Sequence, residues 1–245
     1  LKVNQGSGTP YFSTALGRNA LSSASNTGSA NTAVGNESMK LNTSGGYNTA
    51  VGYSTLSNFT TSVQNLAIGD RALVGSTGAT GNSNIAIGAA TLGTISTGSD
   101  NVAVGNSAGS GVTTGSKNIF IGNSSGEKAG TGNSTTNTTS YNSVIIGHNA
   151  RNGANGNYNE IVISGYDGTT GTAGLGSNTT LIGNSSTVST ALYGDLLLGT
   201  TTDAGSYKLQ VTGDTKLTGT LTVTGGSPAA GKVLTSDANG LATWS

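Results

Sequence analysis

Short apolar runs recur through the first half of the chain, each inside the pattern Asn-x-Ala-h-Gly, where h is Val, Ile or Leu. The pattern occupies residues 31–35, 48–52, 65–69, 84–88 and 101–105, and residues 118–122 carry the variant Asn-Ile-Phe-Ile-Gly. Glycines in the same phase are Gly17, Gly35, Gly52, Gly69, Gly88, Gly105, Gly122, Gly147, Gly165, Gly183 and Gly199. A unit of about 20 residues repeated with a strand-like centre predicts an all-β fold, a β-roll or β-solenoid of stacked coils.

Alternation inside each unit separates two faces of a strand, because successive side chains point to opposite sides. In the second complete unit, Thr49 and Val51 share one face, and Asn48 and Ala50 share the other. The first face becomes more apolar along the chain, so we expect it to fill the coil. The predicted core residues are Val34, Val51, Ile68, Ile87, Val104, Ile121 and Ile146.

The second face carries a column of small residues, Ala15, Ala33, Ala50, Ala67, Ala86 and Ala103. Small side chains at one phase predict close packing against something bulky, either another sheet or another chain. From Phe120 onward this position enlarges to Ile145, Val162 and Leu181, so the neighbour must recede or the packing must change. Large apolar residues four positions after each early glycine predict a second contribution to the core: Leu21, Met39, Leu56, Leu73 and Leu92. The Asn column (31, 48, 65, 84, 101, 118) predicts an amide ladder between coils.

Four regions follow from these patterns. Residues 1–12 form an N-terminal segment, and residues 13–199 form the repeat region of 17–19-residue units. Residues 200–226 form a β shaft with plain period-two alternation, and residues 227–245 form a hairpin-like tail that we expect to continue in the natural protein.

An insertion near residues 127–140 interrupts the repeats. Insertions in solenoids leave as loops, often on the binding face. The candidate receptor loop is therefore Glu127, Lys128, Asn133, Asn137 and Tyr141.

The composition and the distribution of charged and apolar residues limit the expected partners. The chain has 41 glycines in 245 residues, only 8% charged residues, and ten basic against ten acidic side chains. The basic residues never cluster, so nucleic acid is not an expected partner. No stretch approaches the roughly 20 apolar residues that span a bilayer, so we expect no membrane insertion.

Residues for catalysis or metal binding are sparse. Cysteine is absent, and the single histidine, His148, follows a repeat glycine and is expected at a surface corner. Glycoside hydrolysis needs two facing carboxyl groups, and Glu160 with Asp167 or Asp195 is the pair considered. We expect no enzymatic activity, no metal and no cofactor.

The N-terminal repeats resemble the head of trimeric autotransporter adhesins, and more closely the Asn-Thr-Ala-Val-Gly arrays of bacteriophage tail fibres. Residues 197–244 are similar to the end of a tail-fibre shaft. The resemblance implies a homotrimer on a virion or extracellular surface, with its chains intertwined or side by side. Such a trimer acts as a stiff spacer that presents loops to a host-surface glycan or protein. The alternatives are a bacterial adhesin head and a polysaccharide-degrading tailspike. An ice-binding solenoid is disfavoured, because Leu66 and Ile85 interrupt the threonine array that Thr32 and Thr49 begin.

Overall fold

A computed structural model describes residues 2–5, 12–130, 135–165 and 171–184, with short segments at 196–198, 209–212, 214–215, 218, 231, 233–236 and 242–244. The chain divides into two compact units, Leu1–Thr190 and Ala191–Ser245. The described residues contain strands and turns but no helix. The predicted boundary at 12/13 falls inside a strand, whereas those at 199/200 and 226/227 lie outside the described residues.

The first unit is a β-solenoid of about nine turns with one short strand per coil. Its strands are β1 (Lys2–Gln5), β2 (Phe12–Leu16), β3 (Thr32–Val34), β4 (Thr49–Val51), β5 (Leu66–Ile68), β6 (Ile85–Ile87), β7 (Val102–Val104), β8 (Ile119–Ile121), β9 (Lys128–Ala129), β10 (Thr135–Thr136), β11 (Val144–Ile146), β12 (Ile161–Ile163) and β13 (Thr180–Ile182). All except β9 and β10 form one eleven-stranded sheet. The repetitive all-β fold expected from the sequence is confirmed.

The register between neighbouring strands is set by the sequence repeat. From β2 onward the strands of the sheet run parallel, and each residue pairs with the residue one repeat later, as in Ala33 with Ala50 and Ala50 with Ala67. The first strand, β1, is antiparallel to β2. Backbone bonds continue the ladder beyond the strands, for example from the amide of Gly52 to the carbonyl of Val34 at 2.8 Å. Equivalent positions of successive coils therefore form columns along the stack.

The two strand faces are reversed relative to the core prediction. The alanine column lies inside the coil and is buried, at 0–4% exposure. The residues predicted as core point outward: Val34, Val51, Ile68, Ile87, Val104, Ile121 and Ile146. Among these, Val51 is 37% and Ile121 39% exposed in the single chain.

The large neighbour of the alanines is the chain's own turn. Leu21, Met39, Leu56, Leu73 and Leu92 are buried at 0–5% in the same apolar cluster as the alanines. They occupy the left-handed backbone region, with φ between 45° and 51°, which is uncommon for non-glycine residues. This conformation is held by bonds between coils, such as Leu73 N to Thr91 O at 2.9 Å. The predicted second contribution to the core is confirmed, and it comes from a turn.

Where the alanine column ends, the turn residues that pack against it change from leucine to glycine. Phe120 is fully buried at the alanine position, and the leucine position becomes Gly109 and Gly126 in the two adjoining coils. A Cβ on Gly109 would lie 2.8 Å from both Phe120 Cδ2 and Leu92 Cδ2, and a Cβ on Gly126 would overlap the phenyl ring. The neighbour recedes, as expected, by losing its side chain.

The second unit contains two short ladders. Its strands are β14 (Leu196–Leu198), β15 (Leu209–Val211), β16 (Leu234–Ser236) and β17 (Ala242–Trp244). β14 pairs with β15 in parallel, and β16 pairs with β17 in antiparallel orientation. The last pair lies within residues 227–245, where the sequence predicts a hairpin-like tail. The other apolar residues of the predicted shaft, Leu217, Leu221 and Val223, lie outside the described residues.

Candidate binding site

The asparagine column forms a buried ladder of side-chain amides. Asn31, Asn48, Asn65, Asn84, Asn101 and Asn118 are 0–2% exposed. Asn84 Nδ2 donates to Asn65 Oδ1 at 3.2 Å, and Asn84 Oδ1 accepts from both the backbone N–H and Nδ2 of Asn101 at 3.1 and 3.0 Å. The predicted ladder is confirmed. Because its amide groups are hydrogen-bonded within the stack, the ladder holds the turns in place and does not bind a ligand.

The ladder phase ends in a buried acid. Ser143 and then Glu160 occupy the asparagine position, and Glu160 is 0% exposed. Its Oε2 accepts from Gly153 N at 2.9 Å and Asn157 Nδ2 at 3.2 Å, and its Oε1 accepts from Gly176 N at 2.8 Å. Three N–H donors satisfy the carboxylate. In the sequence, Glu160 stands at the same repeat position as the asparagines, which points to this structural role. The hypothesis that Glu160 belongs to a catalytic carboxylate pair overlooked that position.

The insertion forms a small hairpin, in which β9 pairs with β10 in antiparallel orientation. Glu127 and Lys128 form a partly exposed ion pair, with Nζ 3.6 Å from Oε1. Asn137 is fully buried, and its Nδ2 donates to Gly126 O at 3.1 Å and Asn152 Oδ1 at 2.8 Å. Its assignment to a receptor loop is therefore wrong, since no ligand reaches this amide. Asn133 lies outside the described residues.

Tyr141, the last residue of the candidate loop, forms an exposed aromatic pair. Its ring stacks on that of Tyr158, with centroids 5.3 Å apart and planes inclined by 14°. The tyrosines are 43% and 37% exposed. They occupy the same phase in adjacent coils and are joined through a parallel bridge. The stack places the two rings at the outer surface of the coils.

A cavity of about 370 Å³ adjoins Tyr141, and its lining comes from two coils: Thr114, Ser116, Lys117, Thr139, Tyr141 and Asn142. Lys117 and Asn142 share the left-handed position just before the ladder, with φ of 60° and 52°. The 25-residue interval between Gly122 and Gly147 brings them into adjacent coils, where Asn142 N donates to Ser116 O at 3.1 Å. The cavity therefore combines an aromatic ring, hydroxyls, an amide and one cation.

Other predicted chemistry is dispersed. His148 is exposed in a turn after Gly147. Asp167 and Asp195, the proposed partners of Glu160, lie outside the described residues. Within the described ranges, His, Asp and Glu side chains form no group of three that could hold a metal ion. No helix among those residues is long and apolar enough to cross a bilayer.

The outward face of the sheet is the second notable surface. The last residue of each parallel strand forms an apolar column from Leu16 to Ile182, and its six most regular members are 37–41% exposed: Val51, Ile68, Ile87, Val104, Ile121 and Ile163. Ile85, Ile119 and Ile161 add a parallel column that is 36–37% exposed. At about 4.8 Å per strand, ten parallel strands make this apolar face about 43 Å long.

No known protein family matches this chain, and neither a curated protein nor a solved structure is significantly similar to it.

Proposed function

We propose that the chain is a structural and adhesive segment of a phage tail fibre or similar appendage, located on a virion or extracellular surface. It acts as a stiff spacer that presents surface loops to a host receptor. The single observation that carries this proposal is the apolar outward face of the sheet. Contiguous apolar faces of this kind mark sites of association.

Stiffness has a source in the described coils. Each coil is tied to the next by backbone bonds on the strand side and the turn side, and by the buried asparagine ladder. Each repeat contacts mainly its neighbours, so length increases without changing the cross-section. Such an architecture suits a spacer.

The outward face is suited to copies of the same chain. Full burial of one Val or Ile contributes roughly 1.5–3 kcal/mol, so covering the exposed two-fifths contributes about 0.6–1.2 kcal/mol per side chain. Repetition along two columns makes the sum comparable with the cost of association, which is about 4–15 kcal/mol. Matching columns at one spacing pair best with identical columns. The resemblance to trimeric fibres suggests three chains.

The assembly is tested by native mass measurement of the wild-type chain and of Ile87→Arg. We expect the wild type at about three times the chain mass of 23.9 kDa. Ile87→Arg places an unpaired cation in the centre of the apolar face, and we expect it to dissociate. Thr97→Arg is the matched control, because Thr97 is exposed on a turn. A folded wild-type monomer, or an Ile87→Arg trimer, contradicts the proposal.

The tailspike alternative is weakened by the environment of Glu160. A catalytic carboxyl group must reach the glycosidic oxygen or the anomeric carbon, but this carboxylate is fully buried and holds three N–H donors. We therefore propose that the chain is not an enzyme. Release of reducing ends from capsular polysaccharide by the purified protein would contradict this.

A further inference from the structure

We infer that the cavity beside Tyr141 binds a sugar residue that carries a carboxylate. The inference deepens the proposed adhesive function and rests on it, because it assigns the receptor chemistry to one place on the rod. Four features support it: an immobilised aromatic ring, polar groups without protein partners, a cation that forms no ion pair with any described residue, and a suitable volume.

The aromatic ring is held in place. Tyr158 stacks on Tyr141, and backbone bonds connect the two coils: Tyr141 N donates to Asn157 O at 3.1 Å and Asn159 N donates to Tyr141 O at 3.2 Å. A tyrosine supplies a large amphipathic surface at low entropic cost, since only two side-chain torsions must be fixed. The C–H face of a pyranose packs on such a ring, and its hydroxyls remain free for polar groups at the rim.

Polar groups at the rim are available. The hydroxyl of Thr114, the side-chain amide of Asn142 and the ammonium of Lys117 have no hydrogen-bonding partner within the described part of the chain. These groups include both donors and acceptors, as a sugar with vicinal hydroxyls requires. A ligand can therefore bind here without first displacing an internal bond.

A break in a regular hydrogen-bond column adds one more donor. Two positions before the asparagine ladder, the backbone amide of one coil donates to a side chain of the next, as from Asn82 N to Ser99 Oγ and from Ser99 N to Ser116 Oγ, both at 3.0 Å. The next residue in this column is Tyr141, and the amide of Ser116 has no acceptor among the described residues. The column is interrupted at the cavity, where an N–H is left for a ligand oxygen.

Charge selects an acidic sugar. Lys117 is the one charged residue in the lining, and it forms no ion pair with any described residue. Asp100 occupies the same phase in the preceding coil, so the local positive potential is modest. An exposed ion pair contributes up to about 1 kcal/mol, which predicts a preference of up to about fivefold for a carboxylate over its neutral ester.

The volume suits one or two sugar residues. At about 370 Å³ the cavity lies near the lower end of the range for small-molecule sites. Five of its six lining residues are exposed and only Ser116 is partly buried, so a single site should bind weakly. In an assembly, three equivalent sites on one rod would raise the overall affinity through effective concentration.

The test uses the full chain and four soluble probes: trigalacturonic acid, its methyl ester, sialyllactose and lactose. Saturation-transfer NMR and chemical-shift titration give the binding constants. We expect at least one acidic probe to bind more tightly than its neutral counterpart. Tyr141→Ala should weaken that binding about tenfold, whereas Tyr141→Phe should retain it. Lys117→Gln should remove the preference for the acidic probe.

Matched controls separate the site from general surface effects. Tyr47→Ala removes a tyrosine that is 68% exposed and lies in another coil, and Arg18→Gln removes an exposed cation outside the cavity. Both should leave binding unchanged, and circular dichroism of each variant verifies its fold. The inference is overturned if neither acidic probe binds, if neutral probes bind equally well, or if Tyr141→Ala binds like the wild type. Native mass decides the fibre proposal separately: binding by a monomer would refute the assembly and preserve the site.

Discussion

The exchange of size between Phe120 and Gly126 offers a sharp test of how the coils are filled. Gly126 occupies the turn position where earlier coils carry leucine or methionine, and a side chain there would overlap the Phe120 ring. Restoring the earlier pattern requires two changes, Gly126→Leu and Phe120→Ala. Each single change disturbs the core in the opposite sense, one by overfilling it and the other by leaving a void.

The magnitudes follow from the buried geometry. Phe120 is fully buried, and truncation of such a ring costs about 3–5 kcal/mol of unfolding free energy. Gly126→Leu overfills the site, which costs about 1–3 kcal/mol. Backbone conformation is not the obstacle, because Leu73 and Leu92 adopt φ of 48° and 49° at this phase and Gly126 has φ of 65°. In the double variant the leucine enters the space vacated by the ring, so we expect the two costs to cancel by about 2–3 kcal/mol.

Urea denaturation followed by far-UV circular dichroism measures the four free energies of this cycle. Gly78→Leu is the matched control, since Gly78 also has a left-handed φ, 77°, but a Cβ there would meet nothing within 4 Å. Gly78→Leu combined with Phe120→Ala should be additive within about 0.5 kcal/mol. Additivity in the Phe120–Gly126 pair as well would refute the idea that the two columns share one core volume.

Two further predictions concern buried polar groups, both measured as unfolding free energies in urea. Asn84→Ala leaves the backbone N–H of Asn101 and the carbonyl of Gly98 without partners, so we expect a loss of about 2–6 kcal/mol. The control Asn106→Ala changes an exposed residue and should cost less than about 0.5 kcal/mol. Equal effects would show that the ladder contributes no stability. Glu160→Gln turns a donor toward the N–H groups that the carboxylate now satisfies, and we expect a loss of about 1–3 kcal/mol. Glu37→Gln, which removes a partly exposed ion pair, should change stability by less than about 1 kcal/mol; a comparable loss there would contradict the special role of Glu160.

The candidate site was only partly accessible from sequence. The position of the insertion predicted Tyr141 as a binding residue, and Tyr141 does line the cavity. It also suggested Glu127 and Lys128, which pair with each other, and Asn137, which is buried. Lys117 and Thr114 come from the preceding coil, and sequence distance conceals their approach. Once the phase of the repeat is known, however, Tyr141 and Tyr158 are neighbours, because residues one period apart stack.

By itself the sequence determined the period, the place of each strand and the columns that run along the stack, since these depend only on local alternation and on repetition. It also determined that the asparagines form a ladder. Only the tertiary structure decided which strand face is inside. Alternation distinguishes two faces without orienting them, and the larger side chains were expected to be the core. The opposite holds because the Leu and Met side chains of the turns already occupy the early coils and leave space for little more than a methyl group beside the strand; where the turn position becomes glycine, Phe120 fills the same space.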